Sequence, residues 1–155
     1  MKDYAAALAD FSKAIDLQPE DGYNYYWRGR TYREMKDYAA ALVDFSKGID
    51  LQPRNAYGYA ARGRTYLGLN NASNVQADFA QVEALLGEEG GPAYDVASGY
   101  AALSQMTEAC IWLRRAFERD GELVSEALTD ADFDPIRETA EFKALMAEFE
   151  GKAKK

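Results

Sequence analysis

The side chains of this sequence that could do chemistry are carboxylates, arginines and tyrosines, because it holds no histidine and a single cysteine, Cys110. Without imidazole the commonest general base and metal ligand is missing, and one thiol cannot build an ordinary zinc site. Cys110 lies in an apolar helical stretch and reads as a small buried hydrophobe rather than a reactive thiol. The sharpest metal-like spacing is "DADFDPIRETAE", where Asp130, Asp132 and Asp134 alternate and Glu141 stands at the twelfth place of a calcium loop. Such a loop turns on a glycine at its sixth place. Here that place holds Pro135, whose fixed φ starts a helix instead, so the acidic run reads as a cap at a helix N-terminus. "GEEGG" at 87–91 lacks the lysine and hydroxyl of a phosphate loop and reads as a turn. No catalytic residue, metal or cofactor is expected, and the chain reads as no enzyme.

Composition narrows the partners. At 155 residues and 48% hydrophobic content the chain can bury one core. No apolar run approaches the ~18 residues that span a bilayer, and Met1 leads directly into an amphipathic pattern without a signal peptide. The lone cysteine fits a reducing compartment such as the cytoplasm. Net charge is −8, but residues 22–68 carry eight basic and four acidic side chains. The overall balance excludes a general nucleic-acid binder, which needs a basic surface. The locally cationic middle points to an acidic protein or peptide.

These residues are set in a repeat. "MKDYAAALADFSKAIDLQP" at the start returns 34 residues later as "MKDYAAALVDFSKGIDLQP", and "YNYYWRGRTY" at 23–32 returns as "YGYAARGRTY" at 57–66. Ala41 and Phe45 recur as Ala7/Phe11, Val75/Phe79 and Ala109/Leu113 without insertion. Each unit reads as two helices. Tyr25, Gly29 and Tyr32 mark the first, with a glycine small enough for a neighbouring helix to approach. Asp37 caps the second, whose stripe is Tyr38, Ala41, Leu42, Phe45 and Ile49, and Pro53 stops it.

In this pattern of aromatic, Gly, Tyr, Ala, Phe and Pro on Tyr25, Gly29, Tyr32, Ala41, Phe45 and Pro53, the chain resembles the tetratricopeptide repeat family. The resemblance covers about residues 1–123, with Arg28 and Arg62 where the family often has leucine. It implies an all-α, right-handed superhelical array of antiparallel helix pairs. The expected organisation is one domain over 1–150: a half repeat at 1–21, repeats at 22–55, 56–89 and 90–123, and a capping segment at 124–150. In that segment a helix starting at Asp134–Pro135 carries Ile136, Phe142, Leu145, Met146 and Phe149 on one face. Residues 151–155 read as a tail.

The resemblance further implies a concave surface, lined by the first helices of successive units, that binds extended or helical peptides. On this chain it would present Tyr23, Tyr26, Arg30 and Arg33, then Tyr57 and Arg64, then Tyr94, as exposed rings interleaved with guanidinium forks. The family's chaperone-adaptor members clamp a C-terminal carboxylate with lysines, asparagines and an arginine. Starting from repeat 22–55, the matching places hold Tyr26, Arg30, Ala61, Gly91 and Asp95; starting one unit earlier, the first pair is missing and the rest are Trp27, Tyr57 and Ala61, so that clamp is absent in its known form. Arg30 and Arg64 remain as an alternative hold on an acidic ligand. At the other end the half repeat has lost its partner helix. Tyr4, Leu8, Phe11 and Ile15 are expected to form an open apolar stripe, which a second copy covers in a weak two-fold dimer or which marks a cut from a longer protein. The function expected is a protein–protein interaction module. A homo-oligomerisation module, or a targeting domain cut from a larger enzyme or chaperone adaptor, is the alternative.

Overall fold

The computed structural model describes residues 3–153, and within them every regular element is helical. Helices α1 (Tyr4–Leu17), α2 (Gly22–Glu34), α3 (Tyr38–Leu51), α4 (Ala56–Gly68) and α5 (Ala72–Leu85) follow one another through short turns. Then come α6 (Gly91–Ala102), α7 (Met106–Arg119), the short α8 (Leu123–Ala127), a 3-10 turn (Ala131–Phe133) and α9 (Ala140–Ala153). The starts are written locally. Asp3, Asp21, Asp37, Asn55 and Asn71 each accept a first-turn backbone N–H at 3.0–3.4 Å, which satisfies donors that a helix leaves open.

Within each pair the reversal is also repeated. Lys36, Asn70 and Ser104 take the left-handed conformation, with φ of 64°, 55° and 57°. The next residue closes the helix end each time: Asp37 N–H donates to Tyr32 C=O, Asn71 to Tyr66 and Gln105 to Tyr100, all at 2.9–3.0 Å. The same turn therefore recurs at a spacing of 34 even where side-chain similarity has faded.

Helices pack as antiparallel pairs, α2 on α3, α4 on α5 and α6 on α7, and the pairs stack through α3–α4 and α4–α6. Small residues set the approach. A Cβ on Gly29 would stand 2.8 Å from Phe45 Cε1, and one on Gly63 2.5 Å from Phe79 Cε1, so only glycine lets those rings under the neighbouring backbone. From Ala60 and Phe79 the core runs unbroken to Phe149, and a second cluster of Tyr26, Ala41, Phe45 and Ala61 lies under α2 and α4.

The last apolar surface is closed by α9, which packs on α7 and buries Phe142, Leu145, Met146 and Phe149 together with Ile136. Phe149 meets Phe117 edge-on at 5.3 Å. Two expectations about this segment are corrected. The helix begins at Ala140, with Thr139 Oγ1 accepting the Phe142 N–H at 3.4 Å, and not at Pro135. Residues 134–138 instead form turns held by Arg137, which donates to the carbonyls of Ala127, Leu128 and Asp130 and to the Asp134 carboxylate. The helix also runs on to Ala153, into the stretch expected as a tail; residues 154 and 155 lie outside the described residues.

The N-terminal stripe is not an open patch. Helix α1 lies along α2, Ile15 is buried, and Tyr4, Leu8 and Phe11 are half-buried. The large apolar side chain left exposed on α1 is Leu17, at 74%.

Candidate partner-binding groove

Helices α2, α4 and α6 stand side by side, and their faces away from α3, α5 and α7 line a cavity of about 480 Å³. Tyr23, Tyr26, Trp27 and Arg30 come from α2, Tyr57 and Arg64 from α4, and Gly91, Tyr94, Asp95 and Ser98 from α6. The far wall is unexpected: Leu123, Glu126, Asp130 and Asp132 reach it from the segment after α7.

Of the side chains expected in a groove, Tyr23, Tyr26, Arg30, Tyr57, Arg64 and Tyr94 share this cavity. Arg33 lies one turn on, in an adjoining hollow with Lys36, Tyr38, Arg64 and Gly99. Burial, with Arg64 beside it, brings the Arg33 guanidinium down to about 10, so it is still charged at neutral pH.

The expected roles change in three places. Tyr26 is not an exposed recognition ring. It is buried against Trp27 at 5.2 Å, Phe45 at 6.1 Å and Tyr57 at 6.3 Å, and burial, then Asp95, pushes its hydroxyl up to about 12. Tyr94 is buried too, stacks edge-on against Phe133 at 5.3 Å, and donates to Asp130 Oδ2 at 3.0 Å. Arg64 is already occupied by the chain's own Asp132, at 2.5 Å. Both aspartates come from the run read above as a helix cap. Asp130 caps only the 3-10 turn, through the Asp132 N–H at 2.9 Å, and these two aspartates serve the groove wall while Asp134 of the same run holds Arg137.

Arg30 is left. Its guanidinium lies 4.8 Å from the Trp27 ring and 5.8 Å from the Tyr26 ring, with Nη1 donating weakly to Tyr26 Oη at 3.5 Å. Among the described residues it makes no ion pair. Trp27, 44% exposed, and Tyr23, 51% exposed, flank it. Trp27 was missed as a groove residue although it stands four residues after Tyr23 and three before Arg30, a spacing that places all three on one helix face. Asp130 and Asp132 carry no comparable signal, since nothing local says that Asp132 returns to Arg64 over 68 positions or Asp130 to Tyr94 over 36. The cavity is thus bipolar, cationic and aromatic at the α2 end, anionic along the α6 and C-terminal wall.

The other arginines of the repeat are structural. Arg28 forks Asp44 at 2.7 and 2.8 Å and reaches Ser12 at 3.2 Å; Arg62 forks Asp78 at 2.9 and 2.7 Å and reaches Ser46 at 3.1 Å. Each ties its own pair to the helix before it. Cys110 is half-buried, and burial, then Glu141, pushes its thiol up, away from the reactive thiolate. No helix among the described residues is long and apolar enough to cross a membrane.

The family model of the tetratricopeptide repeat matches residues 22–55, which hold α2 and α3. No curated protein sequence matches the chain. Among solved structures, a thermophilic TPR protein of Thermus thermophilus is similar over 94% of this chain and 90% of its own, at 18% identity and a TM-score of 0.64. YrrB, a TPR protein with an unusual peptide-binding site, is similar over 93% of this chain and 86% of its own, at 20% identity and a TM-score of 0.55. The first TPR of Spaghetti bound to the HSP90 peptide SRMEEVD is similar over 87% of this chain and 94% of its own, at 16% identity and a TM-score of 0.53. With its repeated helix pairs, its glycine-mediated packing and its 34-residue turns, the chain has the fold of these tetratricopeptide repeat structures, and its residues 22–55 match the tetratricopeptide repeat itself.

Proposed function

We propose that this protein–protein interaction module binds a peptide segment of its partner in the groove between α2, α4 and α6, with a ligand carboxylate on Arg30. The observation that carries this is the Arg30 guanidinium, 4.8 Å from the Trp27 ring and 5.8 Å from the Tyr26 ring, which makes no ion pair among the described residues. A planar fork on aromatic faces is prepared for a carboxylate, which it binds through charge-assisted hydrogen bonds. The exposed rings of Trp27 and Tyr23 offer area at low entropic cost, and a groove built from packed helices needs little ordering on binding. The wall opposite is anionic, so the acidic part of the ligand belongs at the α2 end. That the Spaghetti TPR holds a peptide with three acidic side chains supports an acidic partner; the departures at Ala61 and Gly91 from the family's carboxylate clamp argue for a different hold on it.

A bead-bound random heptapeptide library sorted with the labelled protein tests this. Selected beads should be enriched in Asp and Glu. Arg30→Glu should abolish that enrichment with helical circular dichroism unchanged, and raising salt should weaken capture because the site is open to solvent. Acidic selection that survives Arg30→Glu would overturn the assignment.

A further inference from the structure

Three cations, Arg33, Lys36 and Arg64, line one hollow of about 330 Å³ where α2, α4 and α6 come to their ends. Glu34 is the carboxylate among the lining residues and is exposed. Arg64 is held by Asp132. Arg33 has no such partner. It is half-buried, and its guanidinium makes no hydrogen bond or ion pair among the described residues. Burial weighs most against its charge, then Arg64; Asp95 favours the charge without pairing with it. The Lys36 ammonium and the Tyr38 hydroxyl, in the same hollow, are likewise without a hydrogen-bond partner among the described residues.

A guanidinium drawn out of water with its donors unused is costly. The last turn of a helix favours a cation, but that placement leaves the donors of Arg33 idle. Nor does the turn call for charge. Lys36 N–H donates to Arg33 C=O at 2.9 Å, and the same bond runs from Asn70 to Leu67 at 3.0 Å and from Ser104 to Ala101 at 2.8 Å. Uncharged residues therefore close the turn equally well. Room is also left beside the cations, since a Cβ on Gly68, another lining residue, would meet nothing within 4 Å.

We infer that this hollow binds a phosphoryl group, held by the Arg33 guanidinium and the Tyr38 hydroxyl, with Lys36 and Arg64 adding positive charge. A phosphoryl group carries nearly twice the charge of a carboxylate and one more acceptor oxygen. It therefore offsets the repulsion between Arg33 and Arg64 and also engages the idle donors. Its planar fork lets Arg33 meet two of those oxygens at once. The site adjoins the groove but stands whether or not Arg30 binds a carboxylate.

Melting in phosphate against chloride, at matched ionic strength and neutral pH, is the first test. Phosphate stabilises folded proteins generally by exclusion from their surface, so the comparison between variants decides. The parent should gain clearly more than Arg33→Gln, because an ion that binds only the folded chain stabilises it. Arg30→Gln should gain as the parent does. The second test titrates the isotope-labelled full chain with inorganic phosphate, with N-acetyl-phosphoserine methylamide and with N-acetyl-glutamate methylamide, followed by NMR at the Lys36 and Gly68 amides. Both phosphates should shift these resonances saturably. Arg33→Gln should weaken them by about tenfold and Tyr38→Phe by about threefold, with circular dichroism unchanged. Equal affinity for the two phosphates supports a site for the free oxyanion, and tighter binding of the phosphoserine probe supports a phosphate borne on a chain. The inference is overturned if neither phosphate gives a saturable shift or if the glutamate probe binds as tightly as phosphoserine. A phosphate gain in melting that persists in Arg33→Gln, or that vanishes in Arg30→Gln, overturns it too.

Discussion

At the scale of single residues, four of the five arginines on α2 and α4 have three different tasks. Arg28 and Arg62 bridge helices, Arg64 is neutralised by Asp132, and Arg30 faces the cavity over two rings. The hydrogen bond to Asp44 holds the Arg28 guanidinium above its ordinary range. Asp44 is almost fully buried while Arg28 keeps about a fifth of its side-chain exposure, so the cost of breaking the pair falls mainly on the carboxylate. Arg28→Leu should therefore destabilise the fold by about 3 kcal/mol, the lower end expected for an uncompensated buried charge. Adding Asp44→Leu should restore most of that loss, because no unpaired charge then remains buried. Urea denaturation of the two single variants and the double variant measures both numbers. Arg28→Leu as stable as the parent would show that Asp44 finds water instead.

At the scale of helices, glycine placement decides how closely the pairs pack. Gly63 and Gly68 lie on the same helix, yet only the first has something to meet. Phe79, which a Gly63 Cβ would strike, is locked by Tyr100 at 5.4 Å and Trp112 at 6.0 Å and cannot swing away. Gly63→Ala should cost about 1–3 kcal/mol through overpacking. At Gly68 a Cβ meets nothing within 4 Å, so Gly68→Ala should add about 0.4–1 kcal/mol by narrowing the unfolded ensemble. Thermal melts of the pair should move in opposite directions. A neutral Gly63→Ala would mean that α4 and α5 can separate without loss.

At the scale of the whole molecule, a stack of helix pairs is stable only if its last face is closed. The segment after α7 does this and more: α9 covers α7, and the turns before it bring Asp130 and Asp132 to the groove wall. Closure and groove polarity are thus coupled in one stretch. Deleting residues 124–155 would uncover Leu113, Ala116 and Phe117 and should abolish cooperative melting. Phe149→Ala is the milder test, at about 3–5 kcal/mol for a buried aromatic. A truncated chain that melts as the parent does would show that the segment contributes only to the groove.

The sequence by itself determined the helix pairs. Their signals are local and repeated: Asp37 and Asn71 at helix starts, Gly29 and Gly63 facing a phenylalanine, and a 34-residue spacing that carries one turn geometry from Lys36 to Ser104. It also placed the tyrosines and arginines of the first helices on one side, because a helix holds residues three and four apart together. Their exposure was not legible in it. Tyr26 and Tyr94 read like Tyr23 but are buried, and only the stacking of one pair on the next decides which ring is covered. The partner of Arg64, the late start of α9 and the anionic wall were likewise decided by tertiary structure. They depend on where the chain has arrived after several pairs have packed, a position that no local pattern encodes.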